Sequence, residues 1–335
     1  MKTGILAIYD LEVDYANCLM EYISDKRSIP LKTVAFTEKE ELLEFASKNY
    51  VDILLIAASA MDDNIGQQNI GKIILLSSGN IFSEYIGYSS IYKYQSTENI
   101  IREILDYYVE IHKNDGMISI AKGDSEIIGV YSPVRRTGQT TFALTLGQVL
   151  SADYSTLYIN MEEFAAFDKI LGKSYPGDLS DLMYFFRQNP EALPIKLQAV
   201  VNNMNGMDYI PPLLFSQDLR NIDTEEWVNL VQKIAMSGTY ERIVLDLSSM
   251  VKNVFQILDI CSSIYMPIND DRISLMKVAA YEEYLLKSDK ENIVDRMIKV
   301  KLPKTEGDKW DENYMERQIW GELGDFIRKL LREAA

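Results

Sequence analysis

The stretch Ile127–Leu150, IIGVYSPVRRTGQTTFALTLGQVL, decides how the chain is read. Ile127, Ile128, Val130 and Tyr131 form a short apolar run of the kind that makes a buried strand. Phe142, Leu144, Leu146, Val149 and Leu150 then recur at helical spacing, so a tight turn delivers the strand into a helix. Strand, turn and helix in that order frame a phosphate-binding loop, where backbone N–H groups at the helix N-terminus meet an anion. The side chains of that motif are only partly present. The pattern G-x-x-x-x-G-K-[ST] requires lysine where this chain has Gln139, and glycine where it has Pro133. Pro133 cannot take the positive φ that glycine allows, and Arg135 and Arg136 add bulk to the turn. Thr140 stands where the hydroxyl that ligates Mg²⁺ belongs, with Thr137, Gly138 and Thr141 around it. The missing lysine separates two readings: an ATPase, or an ATPase fold kept for another purpose.

Composition bounds the rest. At 335 residues the chain holds about two domains, each large enough for its own core. Hydrophobic residues make up 47% and charged residues 25%, the balance of a globular protein. A formal charge of −16 argues against a generic nucleic-acid binder, which needs basic faces. Cys18 and Cys261 stand far apart without a CxxC partner, which argues against a disulfide framework or a zinc site. The single histidine, His112, removes histidine triads and most metal centres. The N-terminus, MKTGILAIYD, reads as a strand start rather than a signal peptide, and no apolar run reaches membrane-spanning length. A cytoplasmic protein is expected.

Alternating patterns predict an α/β protein with two doubly wound parallel-sheet domains. In the first, Gly4–Tyr9, Leu31–Phe36, Val51–Ala57, Lys72–Ser77 and Ser90–Tyr94 read as strands, with helices at Glu12–Ile23, Glu38–Lys48 and Thr97–Val109. Ala58–Gly71 reads as a loop or a weak helix. The polar segment His112–Glu126 is the domain boundary and includes a candidate strand, Met117–Ala121. The expected division is a domain at 1–112, a linker at 113–125 and a loop-bearing domain at 126–335. Within the latter, Leu157–Ile159, Arg242–Leu247 and Ser263–Pro267 read as strands and Glu225–Met236 as a helix. Asp178 or Ser180 caps the helix that follows Gly177.

Residues 1–110 resemble a response-regulator receiver, a flavodoxin-like domain. The resemblance puts Asp10 at the acidic position after the first strand, Ser77 or Ser78 after the fourth, and Lys93 after the fifth. Its phosphoacceptor position falls on Ala57, which has no nucleophile, so the domain is expected to be a pseudo-receiver. Asp10 and Lys93 are then either remnants of the site or a solvated acid and a surface lysine.

Residues 125–330 resemble the MinD/ParA family of deviant-Walker ATPases, whose loop reads K-G-G-x-G-K-T-T. Here that frame is Val134-Arg135-Arg136-Thr137-Gly138-Gln139-Thr140-Thr141, and both lysines are gone. The family's Asp-x-Asp falls on Asn160-Met161-Glu162, which leaves Glu162 as an acid able to engage Mg²⁺ or water. The Walker B strand ends in Asp246, the strongest acidic candidate; a helix-capping role is the alternative. The resemblance implies ATP and Mg²⁺ as ligands, held weakly or not at all, with Thr140 and Asp246 at the metal. Arg135 and Arg136 either supply the phosphate charge lost with Gln139 or are simply solvated.

A receiver-like domain ahead of a MinD/ParA-like domain resembles the TadZ/CpaE family of Tad (Flp) pilus assembly proteins. That resemblance implies a dimeric localisation factor at a cell pole or the inner face of the membrane, recruiting the pilus secretion ATPase and other Tad components. Two further readings stay open: an ATP-gated ATPase switch using Thr140, Glu162 and Asp246, and a phosphorylation-independent signalling regulator. The last lacks a nucleophile at Ala57 and a basic DNA-reading helix. Membrane contact is expected to be peripheral at most. The final segment Ile319–Ala335 carries Trp320, Leu323, Phe326, Ile327, Leu330 and Leu331 on one stripe, but its polar face mixes acids and bases, so it is expected to pack on its own domain.

Overall fold

The computed structural model describes residues 4–25, 31–62, 64–65, 69–79, 87–95, 97–111, 125–162, 165, 167, 175, 177–213, 221–249, 251–303 and 314–334. His112, Glu163, the candidate strand Met117–Ala121 and nearly all of the expected linker lie outside these residues. Contacts divide the chain into two compact units, Met1–Ser119 with Glu191–Ala199, and Ile120–Pro190 with Val200–Ala335.

The first unit is built on a five-stranded parallel sheet of β1 (Gly4–Tyr9), β2 (Leu31–Phe36), β3 (Val51–Ala57), β4 (Ile70–Ser77) and β5 (Ser89–Tyr92). Its order is β2-β1-β3-β4-β5, the flavodoxin-like doubly wound arrangement. Helices α1 (Val13–Asp25), α2 (Lys39–Lys48) and α3 (Thr97–Ile111) occur between and after the strands. Every residue of β3, VDILLIA, is buried, as a central parallel strand requires. Between β3 and β4 there is one turn of 3₁₀ helix, Ala58–Ala60, and β4 begins slightly earlier than its apolar run suggests.

The second unit carries a seven-stranded sheet of β6 (Glu126–Val130), β7 (Thr156–Met161), β8 (Asn202–Met204), β9 (Met207–Ile210), β10 (Arg242–Leu247), β11 (Ser263–Pro267) and β12 (Met297–Val300). Its order is β12-β11-β6-β10-β7-β9-β8. Helix α4 (Gln139–Leu150) follows β6 directly, and Phe142, Leu144 and Leu146 anchor it in the core. Helix α5 (Leu179–Gln188) starts with a reciprocal capping box between Asp178 and Asp181, worth about 1 kcal/mol. Helix α6 (Thr224–Met236) buries Trp227, Leu230, Val231 and Ile234. Helix α7 (Arg272–Lys287) precedes β12, and α8 (Tyr314–Trp320) and α9 (Glu322–Ala334) follow it.

Two expectations are corrected. The second sheet is not parallel throughout, because β8 pairs antiparallel with β9. Asn205 and Gly206 join them with φ of 51° and 89°, the paired positive values of a tight hairpin turn. The Asn-Gly dipeptide is the signal for it. Trp320 also leaves the expected apolar stripe: it ends α8, is 77% exposed and lies under the Arg328 guanidinium. Leu323 and Ile327 of α9 are buried in the core that holds Phe142 and Leu146, so the final helix packs on its own unit.

The hairpin yields a direct test. A Cβ on Gly206 has room, with Ser151 Oγ its nearest neighbour at 3.6 Å, so substitution is resisted by the backbone alone. Gly206→Ala is expected to cost about 1 kcal/mol in urea unfolding followed by Trp227 fluorescence.

Candidate functional site

Register brings the second unit's polar residues together. Asp246, on β10, sits beside Val130 of β6 and Asn160 of β7, so the ends of three adjacent strands meet where α4 begins. Gly138 takes a left-handed φ of 78° to turn the chain into α4, and Arg136 is left-handed as well at 61°. Glycine is the residue suited to such a turn; arginine there is strained. A side chain at 138 would also crowd Leu302, whose methyl lies 3.0 Å from the ideal Cβ position.

Gln139 does not point outward. Its Nε2 donates to Asp246 Oδ1 at 2.6 Å and to the Leu247 carbonyl at 2.8 Å, while its Oε1 accepts the Ser132 N–H at 2.9 Å. These partners fix the orientation of the amide, since one end can only accept and the other only donate. A lysine could replace the two donations but could not accept from Ser132. Glutamine therefore closes the loop on itself.

Asp246 is fully buried and ringed by neutral donors. Tyr158 Oη donates to its Oδ2 at 3.0 Å and Asn160 Nδ2 at 3.2 Å, and Asn160 Oδ1 in turn accepts the Glu162 N–H at 2.9 Å. The Thr140 hydroxyl lies in hydrogen-bond reach of both Asp246 and Glu162. No lysine or arginine pairs with Asp246 among the described residues. Burial, reinforced by the Glu162 charge, pushes the Asp246 pKa up to about 7, against the bonds from Gln139, Tyr158 and Thr140. Burial raises Glu162 as well, opposed by Thr140. The helix-capping alternative for Asp246 does not hold, since its oxygens face side chains across the sheet.

The remaining loop residues divide by exposure. Arg135 and Arg136 are exposed and make no ion pair among the described residues. Thr137 is buried, and its hydroxyl has no hydrogen-bond partner among the described residues. Thr141 meets Tyr314 Oη at 3.3 Å, which ties the start of α4 to α8. Val134, at a signature-lysine position of the resemblance, is buried against Met266 of β11 and Val278 of α7. Tyr158 was not singled out from the sequence, where it reads as one more apolar strand residue.

Thr140, Asp246 and Glu162 present hard oxygen donors that suit Mg²⁺, and the raised carboxyl pKa values fit a site that lacks a positive partner. The loop suits a nucleotide phosphate less well, because the lysine is absent and the Ser132 N–H is already used.

No protein-family model and no curated protein matches the chain. Among solved structures it is similar to a ParA family ATPase from Chlorobium tepidum TLS, at 19% identity and TM-score 0.46, covering 62% of this chain and 92% of that one. A plasmid partition protein from Borrelia burgdorferi B31 bound to AMPPNP shows 14% identity and TM-score 0.44 over 63% of this chain and all 100% of that one. An ATP complex of a McdA variant from Cyanothece shows 13% identity and TM-score 0.42 over 59% of this chain and 79% of that one.

In the first unit, Lys93 Nζ lies 2.7 Å from Asp10 and 2.9 Å from Glu12 and stands 4.3 Å over the Tyr15 ring. Burial alone would lower the Lys93 pKa, but its bonds to Asp10 and Glu12 outweigh this and hold it above the usual range. The reading of a solvated acid and surface lysine is corrected: Asp10 is 2% and Lys93 5% exposed. Ser77 is buried, with its hydroxyl accepting the Gly79 N–H at 3.1 Å. Ala57 ends β3 without a carboxylate. Asp52, at the other end of that strand, accepts the Ile5 N–H at 2.6 Å.

A pH dependence follows from Asp246. With its folded pKa near 7 and an unfolded value of about 4, the folded state holds the extra proton between those limits. Stability therefore falls as pH rises through that window, and Glu162 acts with the same sign. Asp246→Asn is expected to shrink the slope of unfolding midpoint against pH, read by Trp227 fluorescence between about pH 4 and pH 8. An unchanged slope would show that the carboxyl titrates normally.

Proposed function

We propose that the chain is a localisation and scaffold factor for Tad (Flp) pilus assembly, of the TadZ/CpaE type. In this reading 1–112 is a pseudo-receiver, 113–125 a linker and 126–335 a degenerate MinD/ParA-like domain that does not turn over ATP. The observation that carries the loss of turnover is the Gln139 carboxamide, which bridges Ser132, Asp246 and Leu247, with no lysine or arginine paired to Asp246 among the described residues. The buried Asp10–Lys93 pair, with Ala57 at the end of β3, supports the same view of the first unit, a receiver frame without its nucleophile. The domain pairing carries the pilus assignment, with the secretion ATPase and other Tad components as partners and a cytoplasmic, dimeric protein as the working form. Among the described residues no helix is long and apolar enough to cross a membrane, and α9 packs on its own core, which supports contact with lipid that is peripheral at most.

A second reading, the ATP-gated switch, draws on the convergence of Thr140, Glu162 and Asp246. Steady-state turnover with MgATP separates the two. The scaffold reading expects the wild-type rate to equal that of Asp246→Ala, and a rate clearly above that control would favour the switch. The pilus role is tested in a Tad-bearing host, where the chain is expected to co-purify with the secretion ATPase and Gln139→Ala to leave that capture unchanged.

A further inference from the structure

The chain holds a single Asn-Gly dipeptide, Asn205-Gly206, and it forms the exposed turn between β8 and β9. Asparagine before glycine is the pair in which a main-chain nitrogen most readily attacks the preceding side chain, because glycine has no Cβ to shield that nitrogen. In the folded hairpin both reacting groups are engaged. Asn205 Nδ2 donates to Gln148 Oε1 of α4 at 3.0 Å, and the Gly206 N–H donates to Asn203 Oδ1 at 3.2 Å. Both partners are themselves fixed. Gln148 is 4% exposed and donates to the Leu144 carbonyl at 3.1 Å. Asn203 donates to Asp208 at 2.7 Å, and the other oxygen of Asp208 accepts from Tyr240 at 2.9 Å.

We propose that Asn205 is a site of covalent modification, deamidation by water, which the fold holds back through Gln148 and Asn203. The Gly206 nitrogen, deprotonated by hydroxide, attacks Asn205 Cγ; the Cγ–Nδ2 bond breaks and ammonia leaves. Water then opens the five-membered imide. Opening at Cγ gives aspartate at 205, and opening at the main-chain carbonyl gives isoaspartate, whose chain runs through Cβ and Cγ. One amide and one water become one carboxylate and one ammonium, with no oxidant or reductant. Ring closure requires the carboxamide to leave Gln148 and the N–H to leave Asn203, so the hairpin must open first. β8 is a three-residue strand at the edge of the sheet, paired with β9 alone. Such a segment opens locally while the rest stays folded. The product cannot close as before. A carboxylate at 205 has no N–H for Gln148 Oε1, so two acceptors face each other and a buried carbonyl loses its bond. Isoaspartate also lengthens the two-residue turn that sets Met204 against Met207. Met207 packs on Gly147 of α4, so the modification loosens the seat of the hairpin on the helix that follows the loop. This chemistry stands whether or not the scaffold reading holds.

Peptide mapping by mass spectrometry, over days at mildly alkaline pH, compares the full chain with a synthetic peptide of residues 200–210. The peptide is expected to convert, and the folded chain to convert at least about tenfold more slowly. Gln148→Ala and Asn203→Ala are each expected to speed the folded chain at least about threefold. Leu285→Ala, which weakens the core away from the hairpin, is expected to leave the rate unchanged, because local opening sets it. Asn205→Asp, standing for the product, is expected to lower the melting temperature by about 2–4 °C, and to lower it less in a Gln148→Ala background. A peptide that keeps its amide, or a folded chain that converts as fast as the peptide, would overturn the proposal. So would a rate unmoved by both Gln148→Ala and Asn203→Ala. Equal acceleration by Leu285→Ala would also overturn it, by showing that the whole fold and not these two side chains protects the turn.

Discussion

The second unit's site depends on one interaction, the hydrogen bond from Gln139 to the fully buried Asp246. A carboxylate out of water must find charge, hydrogen bonds or a proton. No cationic side chain pairs with it here among the described residues. Instead Gln139, Tyr158, Asn160 and Thr140 surround it with neutral donors, and the remaining cost appears as a pKa near 7. The same glutamine accepts the Ser132 N–H, so its amide links the end of β10 to the start of the turn. One neutral side chain thus holds together the two strands and the loop from which a phosphate site would have to be built.

Two substitutions relative to the resembled motif make sense together in this light. Removing the loop lysine leaves Asp246 short of positive charge. An aspartate at 160 would then place a second carboxylate in hydrogen-bond reach of the first, whereas Asn160 donates to it at 3.2 Å and still orders the Glu162 backbone. Compared with the resembled motif, the site holds no lysine and one carboxylate fewer, and its side chains form a connected network. Val134 fits the same pattern: the residue at the signature position points into an apolar cluster rather than out of the loop.

The fold was readable because its strands are continuous apolar runs bounded by polar turns. Val51–Ala57 and Arg242–Leu247 are observed with the bounds their composition predicts. The β8–β9 hairpin escaped because its strands are only three and four residues long and β8 is polar, although Asn205-Gly206 marks the turn. At the site, the loop pattern and the family resemblance pointed to Gln139, Thr140, Glu162 and Asp246 but not to how they meet. A glutamine in place of a lysine reads as a loss; only the geometry shows it as a bridging group with its own three bonds. Tyr158 was hidden because a buried strand tyrosine looks apolar until its hydroxyl finds an acid. In the first unit, the depth at which Asp10 and Lys93 lie is set by packing around Tyr15 and the strand ends, which residue types alone do not specify.

A double-mutant cycle between Gln139 and Asp246 tests the central claim most directly. Gln139→Ala, Asp246→Ala and the double variant would be unfolded in urea at about pH 8, where the carboxyl is ionised, with Trp227 as the reporter. A hydrogen bond from a neutral donor to a buried carboxylate predicts a coupling energy of about 1–3 kcal/mol. A coupling indistinguishable from zero would mean that the two side chains do not meet and that the loop is not closed by its glutamine.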